Sequence, residues 1–516
     1  MNDIARHFLL AQDNRRALPY LVAAGDRAAR VYSMPEASRQ YARAIELAQT
    51  LDDGALARRA YEGLGLAREL MNDIPGAVEV YQQMRQFARA HAHVPMEVSA
   101  LNKLAAFVAI RLGHYTEADQ HLLAAEGLAR TGQDQAGLVE MLLVRCYVCT
   151  ASADFERGMA YLEQSLDVGR QLNLQAQVAF SLTHIANTFT FTMRFAEAWP
   201  VVQEGRAFME QSADHLHLSQ LLTNAIPYHY LHVGDLDAAS STAQQGTEMA
   251  ARIGNVFWEA IGAWYVGMIA QLRGEYEAAI AAYRRAAQAG RASGAYAMPA
   301  IGLAPLATVH AEISGSPHAP VTALIHEAEV LLADPTKVVP GAQAVRSLGL
   351  AALAQGDLDH ADAWFQQGLA SRTTWRILER PWMLLGAAQV ALARQDLEAA
   401  MMLAREARDV VETRALQHMA PTVALIVGRI MAAGGEHTAA LGQFNAAEAL
   451  ARDMAMRPVV WQARAAAACS QLALGRAVEA QAARHGACAM IDQIAALFED
   501  QELRAAFVEH ARQQIV

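Results

Sequence analysis

The sequence predicts an all-α fold: an α-α superhelix of about twelve helical hairpins with a period of about 40 residues. Three observations predict it. A small residue recurs at nearly constant spacing, glycine and aromatic positions keep a fixed distance from it, and 53% of the residues are hydrophobic. Because one hairpin cannot bury its apolar stripe alone, such repeats are expected to stack on their neighbours.

The recurring small residue, named the anchor below, sets the frame of the repeats. Successive anchors are 40, 41, 40, 40, 41, 40, 82, 39, 40 and 40 residues apart, and the step of 82 hides one degenerate repeat. A plain alanine-rich bundle is the alternative, but chance would not keep eleven anchors in phase. The anchors are Ala37, Ala77, Ala118, Gly158, Ala198, Ala239, Ala279, Ala361, Ala400, Ala440 and Ala480.

Other positions keep the same frame. A glycine five residues before the anchor, such as Gly274, is expected to end the first helix of the hairpin in a left-handed conformation. A small residue twelve before it, such as Gly267, lets the two helices approach closely. A ring four after it, such as Tyr283, is expected to fill the gap between hairpins. Acids in the turn, such as Asp235 and Asp357, favour the N-terminus of the second helix.

Proline content divides the array into segments. Regular hairpins, repeats 1–7, are expected over residues 1–290, and repeats 9–12 over residues 342–491. Residues 291–341 form a proline-rich, degenerate repeat 8, in which a bend or hinge is expected because proline disrupts a helix interior. Two separate sub-solenoids are the alternative. Residues 492–516 are expected to form a C-terminal capping helix.

The net charge, the cysteine count and the distribution of apolar residues exclude several classes of function. The net charge is 42 − 53 = −11, which argues against direct nucleic-acid binding, since that needs basic patches. Four cysteines in so long a chain suit a reducing compartment. The N-terminus lacks the pattern of a secretory signal, and no long apolar run predicts a membrane span. A soluble, cytoplasmic protein is therefore expected.

The arrangement of small and aromatic positions resembles the tetratricopeptide consensus, whose usual period is 34 residues. The additional residues are expected to lengthen the helices or the loops. Residues 4–47 and 498–504 also resemble the tetratricopeptide sensor regions of bacterial STAND-type ATPases, including maltose-activator-like regulators and cyclase-linked signalling proteins. The resemblance implies an array that senses an effector or a partner.

This chain departs from that family at one decisive point. It contains no Gly-x-x-x-x-Gly-Lys-Ser/Thr loop, so nucleotide hydrolysis is not expected of it. No cyclase domain or DNA-reading helix-turn-helix is recognised either. The chain is therefore interpreted as the sensor arm alone: a fragment, a split gene product or a free-standing adaptor.

Candidate catalytic and metal-binding groups have structural explanations. Cys146 and Cys149 form a Cys-x-x-Cys inside a predicted helix, where core packing is favoured over zinc or redox chemistry. His229 and His232 are three residues apart and could hold a metal, but no acidic ligand accompanies them. The turn acids are expected to cap helices. No catalytic residue, cofactor or metal is predicted.

A groove is the better candidate site. In tetratricopeptide arrays the first helix of each hairpin lines the concave face, so the resemblance implies which side chains point inward. They are mostly aromatic and amide groups, which suit a peptide or a small effector. A solvated face without a ligand is the alternative. The groove residues are Lys103, Phe107, Arg111, Tyr147, Thr150, Thr183, Asn187, Thr190, Asn224, Tyr228, His232, Trp264, Gln271 and Arg346.

The sequence therefore predicts a non-catalytic scaffold or sensor that binds a peptide segment or an effector in this groove. A two-lysine clamp for a terminal carboxylate is not evident, because Lys103 has only Arg111 as a candidate partner. The expected partner is a protein or peptide, with a small-molecule effector as a further candidate. The alternatives are a detached regulatory arm of a signalling ATPase or transcription regulator and, third, a metal-dependent enzyme.

Overall fold

The computed structural model describes residues 2–51, 53–71, 73–109, 114–151, 154–295, 298–315, 319–333, 342–370 and 375–515. These residues form α-helices joined by short turns, with no β-strand among them. Consecutive helices pair into twelve hairpins, from α2–α3 to α25–α26, so the predicted all-α solenoid of about twelve hairpins is confirmed. Helix α1 precedes the first hairpin and α27 follows the last.

The helices of the first six hairpins are given first. They are α1 (Asn2–Leu10), α2 (Asn14–Arg30), α3 (Met34–Leu51), α4 (Gly54–Leu70), α5 (Ile74–Ala90), α6 (Val94–Phe107), α7 (Tyr115–Thr131), α8 (Gln135–Ala151), α9 (Phe155–Gln171), α10 (Gln175–Phe191), α11 (Phe195–Ser212), α12 (His215–Thr223), α13 (Ala225–Val233) and α14 (Leu236–Arg252). Helices α12 and α13 together form the first arm of the sixth hairpin.

The remaining six hairpins and the last helix follow. They are α15 (Val256–Arg273), α16 (Tyr276–Ala292), α17 (Ala300–Ser314), α18 (Ala319–Leu332), α19 (Ala342–Ala354), α20 (Leu358–Ala370), α21 (Trp375–Ala393), α22 (Leu397–Thr413), α23 (Ala420–Ala433), α24 (His437–Asp453), α25 (Arg457–Ala473), α26 (Ala477–Ala495) and α27 (Gln501–Gln513). A short 3-10 turn, Gln417–Met419, leads into α23.

The period of the repeat comes from helix length. Helices such as α2, α5 and α9 have 17 residues, and three-residue turns separate most neighbours. The turns share one hydrogen-bond pattern, in which the N–H of the last turn residue donates to a carbonyl five residues earlier, as from Glu275 to Ala270. The residues added to the 34-residue consensus thus lie in the arms rather than in long loops.

The left-handed glycines are confirmed where the structure describes them. Gly274 has φ +75° and Gly356 has φ +76°, while Gly113 lies outside the described residues. Tyr32 and Met193 occupy the equivalent position with φ +55° and +56°, although a Cβ disfavours that conformation. The turn geometry therefore does not depend on glycine, and the sequence signal marks only some of the turns.

The anchors and acids occupy the predicted places. Each of the eleven anchors is the fourth residue of the second helix of its hairpin, and each is buried. Asp235 caps α14 by accepting the N–H of Ala238 at 2.9 Å, and Asp357 caps α20 by accepting the N–H of His360 at 3.2 Å. The capping role predicted for these acids is confirmed.

The ring four residues after the anchor packs on the small residue twelve before it. A Cβ on Gly267 would lie 2.6 Å from the ring of Tyr283, and one on Gly349 would lie 2.7 Å from that of Phe365. A Cβ on Gly386, in the next hairpin, would also collide with Phe365. The ring thus fills space both within its own hairpin and between hairpins.

The chain divides into two compact units. The first unit comprises Met1–Ile185, Glu204–His217 and Met249–Asn255, and the second comprises Ala186–Gln203, Leu218–Glu248 and Val256–Val516. The bend or hinge expected over 291–341 stays a prediction, because residues 316–318 and 334–341 lie outside the described residues. Among the described helices, none is both long and apolar enough to cross a membrane.

In the second unit, the C-terminal segment returns to the seventh hairpin. The ring of Tyr276 lies 5.4 Å from that of Phe507. The carboxylate of Glu277 accepts the N–H groups of Glu499 at 2.8 Å and Asp500 at 2.7 Å, immediately before α27. Helix α27 also packs on α17, so it covers more than the end of the last hairpin.

Candidate functional site

Polar side chains join the first helices of successive hairpins. The side of these first helices that carries the joining residues is named the first-helix face below. Partners are 33 to 41 residues apart, so each pair links neighbouring repeats at similar positions. These pairs are named the polar ladder below, and each of them lies within one of the two units. Its pairs are Glu62–Ser99, Lys103–Glu140, Tyr147–His184, Asn187–Asn224, Asn224–Tyr265, Gln271–Glu312, Arg346–Glu379 and Arg429–Gln462.

In the first unit, charged residues of the polar ladder are partly exposed to solvent. Lys103 Nζ lies 2.6 Å from Glu140 Oε1, and 36% of the lysine side chain is exposed. Glu140 holds the pKa of Lys103 above its ordinary value. Burial would raise the pKa of Glu62, but Arg58 and Lys103 outweigh it and hold that pKa below its ordinary value. Lys103 is thus a paired cation, and Arg111, its candidate partner, lies outside the described residues.

An aromatic group follows on α8 and α10. Tyr147 is half-buried, and its hydroxyl oxygen lies 2.9 Å from His184 Nε2. The rings of Phe180 and His184 are 4.1 Å apart. Burial, with a smaller contribution from His217, lowers the pKa of His184 to about 3, so the ring is neutral at pH 7. This half-buried group offers an apolar anchor beside the charged pairs.

Other predicted groove residues of the first unit are used for packing. Phe107 packs against the small core that contains Leu122. Thr183 is fully buried, and its hydroxyl donates to the Ala179 carbonyl at 2.8 Å within its own helix. The side chain of Thr150 lies outside the described set. Of the predicted residues whose side chains are described in this unit, Lys103 and Tyr147 are the partly exposed polar ones.

In the second unit, Asn224 joins three neighbouring first arms. Its Nδ2 donates to Asn187 Oδ1 at 3.1 Å, and its Oδ1 accepts the hydroxyl of Tyr265 at 3.0 Å. Asn224 also separates α12 from α13, because Pro227 has no N–H to continue the helix across this point. Sequence reasoning missed this break, although Pro227 was the available signal.

Most predicted groove residues of the second unit are buried in its core. Tyr228 is 5% exposed and packs its ring against those of Phe195 and His418, and Trp264 is 3% exposed. The Thr190 hydroxyl donates to the Ala186 carbonyl at 2.8 Å. These side chains have protein partners where the groove hypothesis places a ligand.

Two further predicted residues of this unit are partly buried. Gln271 donates from Nε2 to Glu312 at 2.8 Å and accepts the hydroxyl of Tyr283 at 2.8 Å. The ring of His232 stacks on Phe195, with ring centres 4.2 Å apart. Both side chains therefore belong to contacts inside the second unit.

The candidate metal ligands take part in packing. The ring of His229 stacks on Trp199 at 3.7 Å, and its centre lies 6.3 Å from that of His232. Cys146 and Cys149 are buried in α8, as predicted for core residues, and burial raises the pKa of the Cys149 thiol. Among the residues that the structure describes, no three His, Cys, Asp or Glu side chains are grouped as metal ligands.

Two solved structures are similar to this chain. One is a Rap protein complexed with competence and sporulation factor, with a TM-score of 0.50 and 11% identity over 77% of this chain and 98% of that one. The other is the APC/C hetero-tetramer Cut9-Hcn1, with a TM-score of 0.49 and 13% identity over 98% of this chain and 95% of that one. No protein-family model and no curated protein sequence matches the chain.

These similarities bear on the fold alone. At 11% identity the first of them supports a tetratricopeptide-like array of helical repeats, in agreement with the resemblance drawn from the sequence. The relationship to STAND-type ATPases stays a prediction.

Proposed function

We propose that this protein is a non-catalytic binding module that holds a segment of a protein partner on the first-helix face of α4, α6, α8 and α10. One contrast carries the proposal. On these helices Lys103 and Tyr147 are partly exposed. In the second unit Asn224, Tyr228 and Trp264 are buried, and of the predicted residues there only His232 and Gln271 are partly exposed. Side chains that already fill a core have no surface left for a partner.

The chemistry of this face defines the segment that it would bind. Arg58 and Lys103 alternate with Glu62 and Glu140, so the charges along the face are balanced. A partner segment with charges of both signs can exchange these pairs at little electrostatic cost. An aromatic or aliphatic side chain packed beside Tyr147 would supply the buried anchor that such interfaces need. A terminal carboxylate alone would have to displace Glu140 from Lys103.

The resemblance to sensor regions gives the first class of partner to test. A signalling ATPase or a nucleotide cyclase acting in trans fits a detached regulatory arm, and a small effector on the same face is the second candidate. Only the sequence resemblance supports these narrower assignments.

Photo-cross-linking tests the proposal directly. The photoreactive residue p-benzoylphenylalanine is placed at Tyr147 on the first-helix face and, as a matched control, at Leu123, which is 63% exposed on the second helix α7. We expect irradiation in a cell extract to capture one protein segment at position 147 and not at 123. Mass spectrometry of the adduct identifies the segment.

A charge change supplies the second arm of the experiment. Lys103→Glu leaves Glu140 without its cation, and we expect capture at position 147 to fall several-fold while the helical circular dichroism is unchanged. Equal capture at positions 147 and 123 would refute the assignment of this face as the binding surface. Capture at position 147 that Lys103→Glu does not reduce would refute it as well.

A further inference from the structure

A small cavity lies between α23, α25 and the C-terminal residues of the second unit, far along the chain from the face proposed above. Its volume is about 140 Å³, enough for a few water molecules or a small organic ion. The lining residues are Arg429, Trp461, Gln462, Ala465, Ala466, Cys469 and Gln514.

Arg429 brings a positive charge to this cavity without a matching acid. Among the described residues its one hydrogen bond runs from Nη2 to Gln462 Oε1 at 3.3 Å, and no carboxylate lies within ion-pair distance. Nearby Arg464, in contrast, pairs with Glu448 at 2.9 Å. Burial lowers the pKa of Arg429, and no neighbouring charge offsets it. The guanidinium stays protonated at pH 7, and the described residues provide no counter-ion for it.

The ring of Trp461 lines the same cavity. Its side chain is 4% exposed, and its indole Nε1–H has no hydrogen-bond partner among the described residues. Buried donors without an acceptor are rare, because they lose water and gain nothing in exchange. The cavity therefore joins an unpaired cation to a buried aromatic ring, and the polar acceptors among its lining residues are the neutral amides of Gln462 and Gln514.

We propose that this cavity binds a small carboxylate, with its oxygens on the Arg429 guanidinium and its carbon chain beside the Trp461 ring. Planar carboxylates accept hydrogen bonds from an arginine in their own plane. The methyl groups of Ala465 and Ala466 would contact a short apolar part of the ligand. Phosphate fits less well, because it needs more donors than these side chains supply.

Such a ligand would act on a different part of the chain from the partner segment. A carboxylate that binds only the folded state stabilises the eleventh and twelfth hairpins by mass action. The carboxylate could belong to a free short-chain acid or to the end of a peptide, and the experiment separates these sources. The site stands whether or not the first-helix face of α4–α10 binds a partner.

Fluorine NMR of the chain labelled with 5-fluorotryptophan tests the site. The seven tryptophans give seven resonances, and Trp461→Phe identifies the one at position 461. We expect sodium propionate, added to about 50 mM, to shift that resonance saturably, since contacts this few correspond to a Kd on the order of 1 mM. Propionamide, which has the same shape without the charge, should leave it unmoved.

Two arginine variants separate a specific site from a general effect of salt. Arg429→Gln should abolish the shift, and because it removes an unpaired, partly buried charge it should raise the melting temperature of the free protein. Arg405→Gln, at an exposed arginine of α22, should change neither. A shift that survives in Arg429→Gln, or one produced by phosphate and not by propionate, would overturn the proposal.

The source of the carboxylate is resolved by two further titrations. A tri-alanine peptide with a free terminal carboxylate is compared with its amide, and a shift from the acid form alone assigns peptide ends to the site. No response to propionate or to the peptide acid would end the proposal.

Discussion

At the scale of single residues, the stacking of hairpins depends on glycines that leave room for a ring. The ring of Tyr283 lies over Gly267, and that of Phe444 lies over Gly428, each within its own hairpin. Tyr283 is 1% exposed, yet its hydroxyl donates to Gln271, so the buried ring leaves no polar atom unpaired. A side chain at the glycine would occupy the space of the ring.

Gly267→Ala tests this contact. The added methyl carbon would lie 2.6 Å from the Tyr283 ring, so we expect a loss of about 1–3 kcal/mol in unfolding free energy through overpacking. The control is Gly442→Ala in α24, where an added Cβ meets nothing within 4 Å and should stabilise the helix by about 1 kcal/mol. Urea denaturation followed by circular dichroism compares the two, and equal effects would show that the repeat frame is misplaced.

Single residues also show what the sequence could and could not predict of the site. The repeat frame placed Tyr228 and Trp264 on the first helices, and they do lie there. It could not predict that His418 would pack against Tyr228, because the two are far apart in sequence and the frame describes only neighbouring repeats. Exposure of a groove position is therefore a property of the folded unit rather than of the repeat pattern.

At the scale of helices, neighbouring first arms are joined by buried polar pairs. Between α19 and α21, Arg346 Nη1 lies 3.0 Å from Glu379 Oε2, with 9% and 5% of the two side chains exposed. The guanidinium also lies 5.3 Å from the ring centre of Trp382. Burial raises the pKa of Glu379 and Arg346 opposes that shift, so each member of the pair depends on the other.

A double-mutant cycle tests this dependence. Arg346→Met or Glu379→Leu alone should cost about 3–5 kcal/mol, because each leaves a buried charge unpaired. The double variant should cost less than either single change, since it removes both charges. Urea midpoints of the four proteins give the coupling, and additive losses would mean that the pair contributes no mutual stabilisation.

The turns between helices were predicted only in part, for a reason that lies in their geometry. Glycine marks the left-handed position at Gly234 and Gly435, but Tyr32 and Gln395 take the same conformation. The shared hydrogen-bond pattern, rather than the residue type, sets the backbone there. A sequence search for glycine therefore finds only a subset of the turns, while the anchor, which is buried at all eleven positions where it occurs, locates the hairpins.

At the scale of the whole molecule, the constant period accounts for the architecture but not for every contact. In a repeat array most stabilising contacts join nearest neighbours, which is why the sequence frame predicts the hairpins. Tyr276 and Phe507, in contrast, meet across more than two hundred residues inside the second unit. The expected capping role of residues 492–516 thus includes contacts with hairpins seven and eight that no local pattern could indicate.

The central claim is that a partner segment lies along the first helices of the second to fifth hairpins. Hydrogen–deuterium exchange of the chain, with and without the segment captured at position 147, tests it most directly. We predict slower exchange in α4, α6, α8 and α10 and no change in the second helices α5, α7 and α9. Protection confined to those second helices, or to the second unit, would contradict the account.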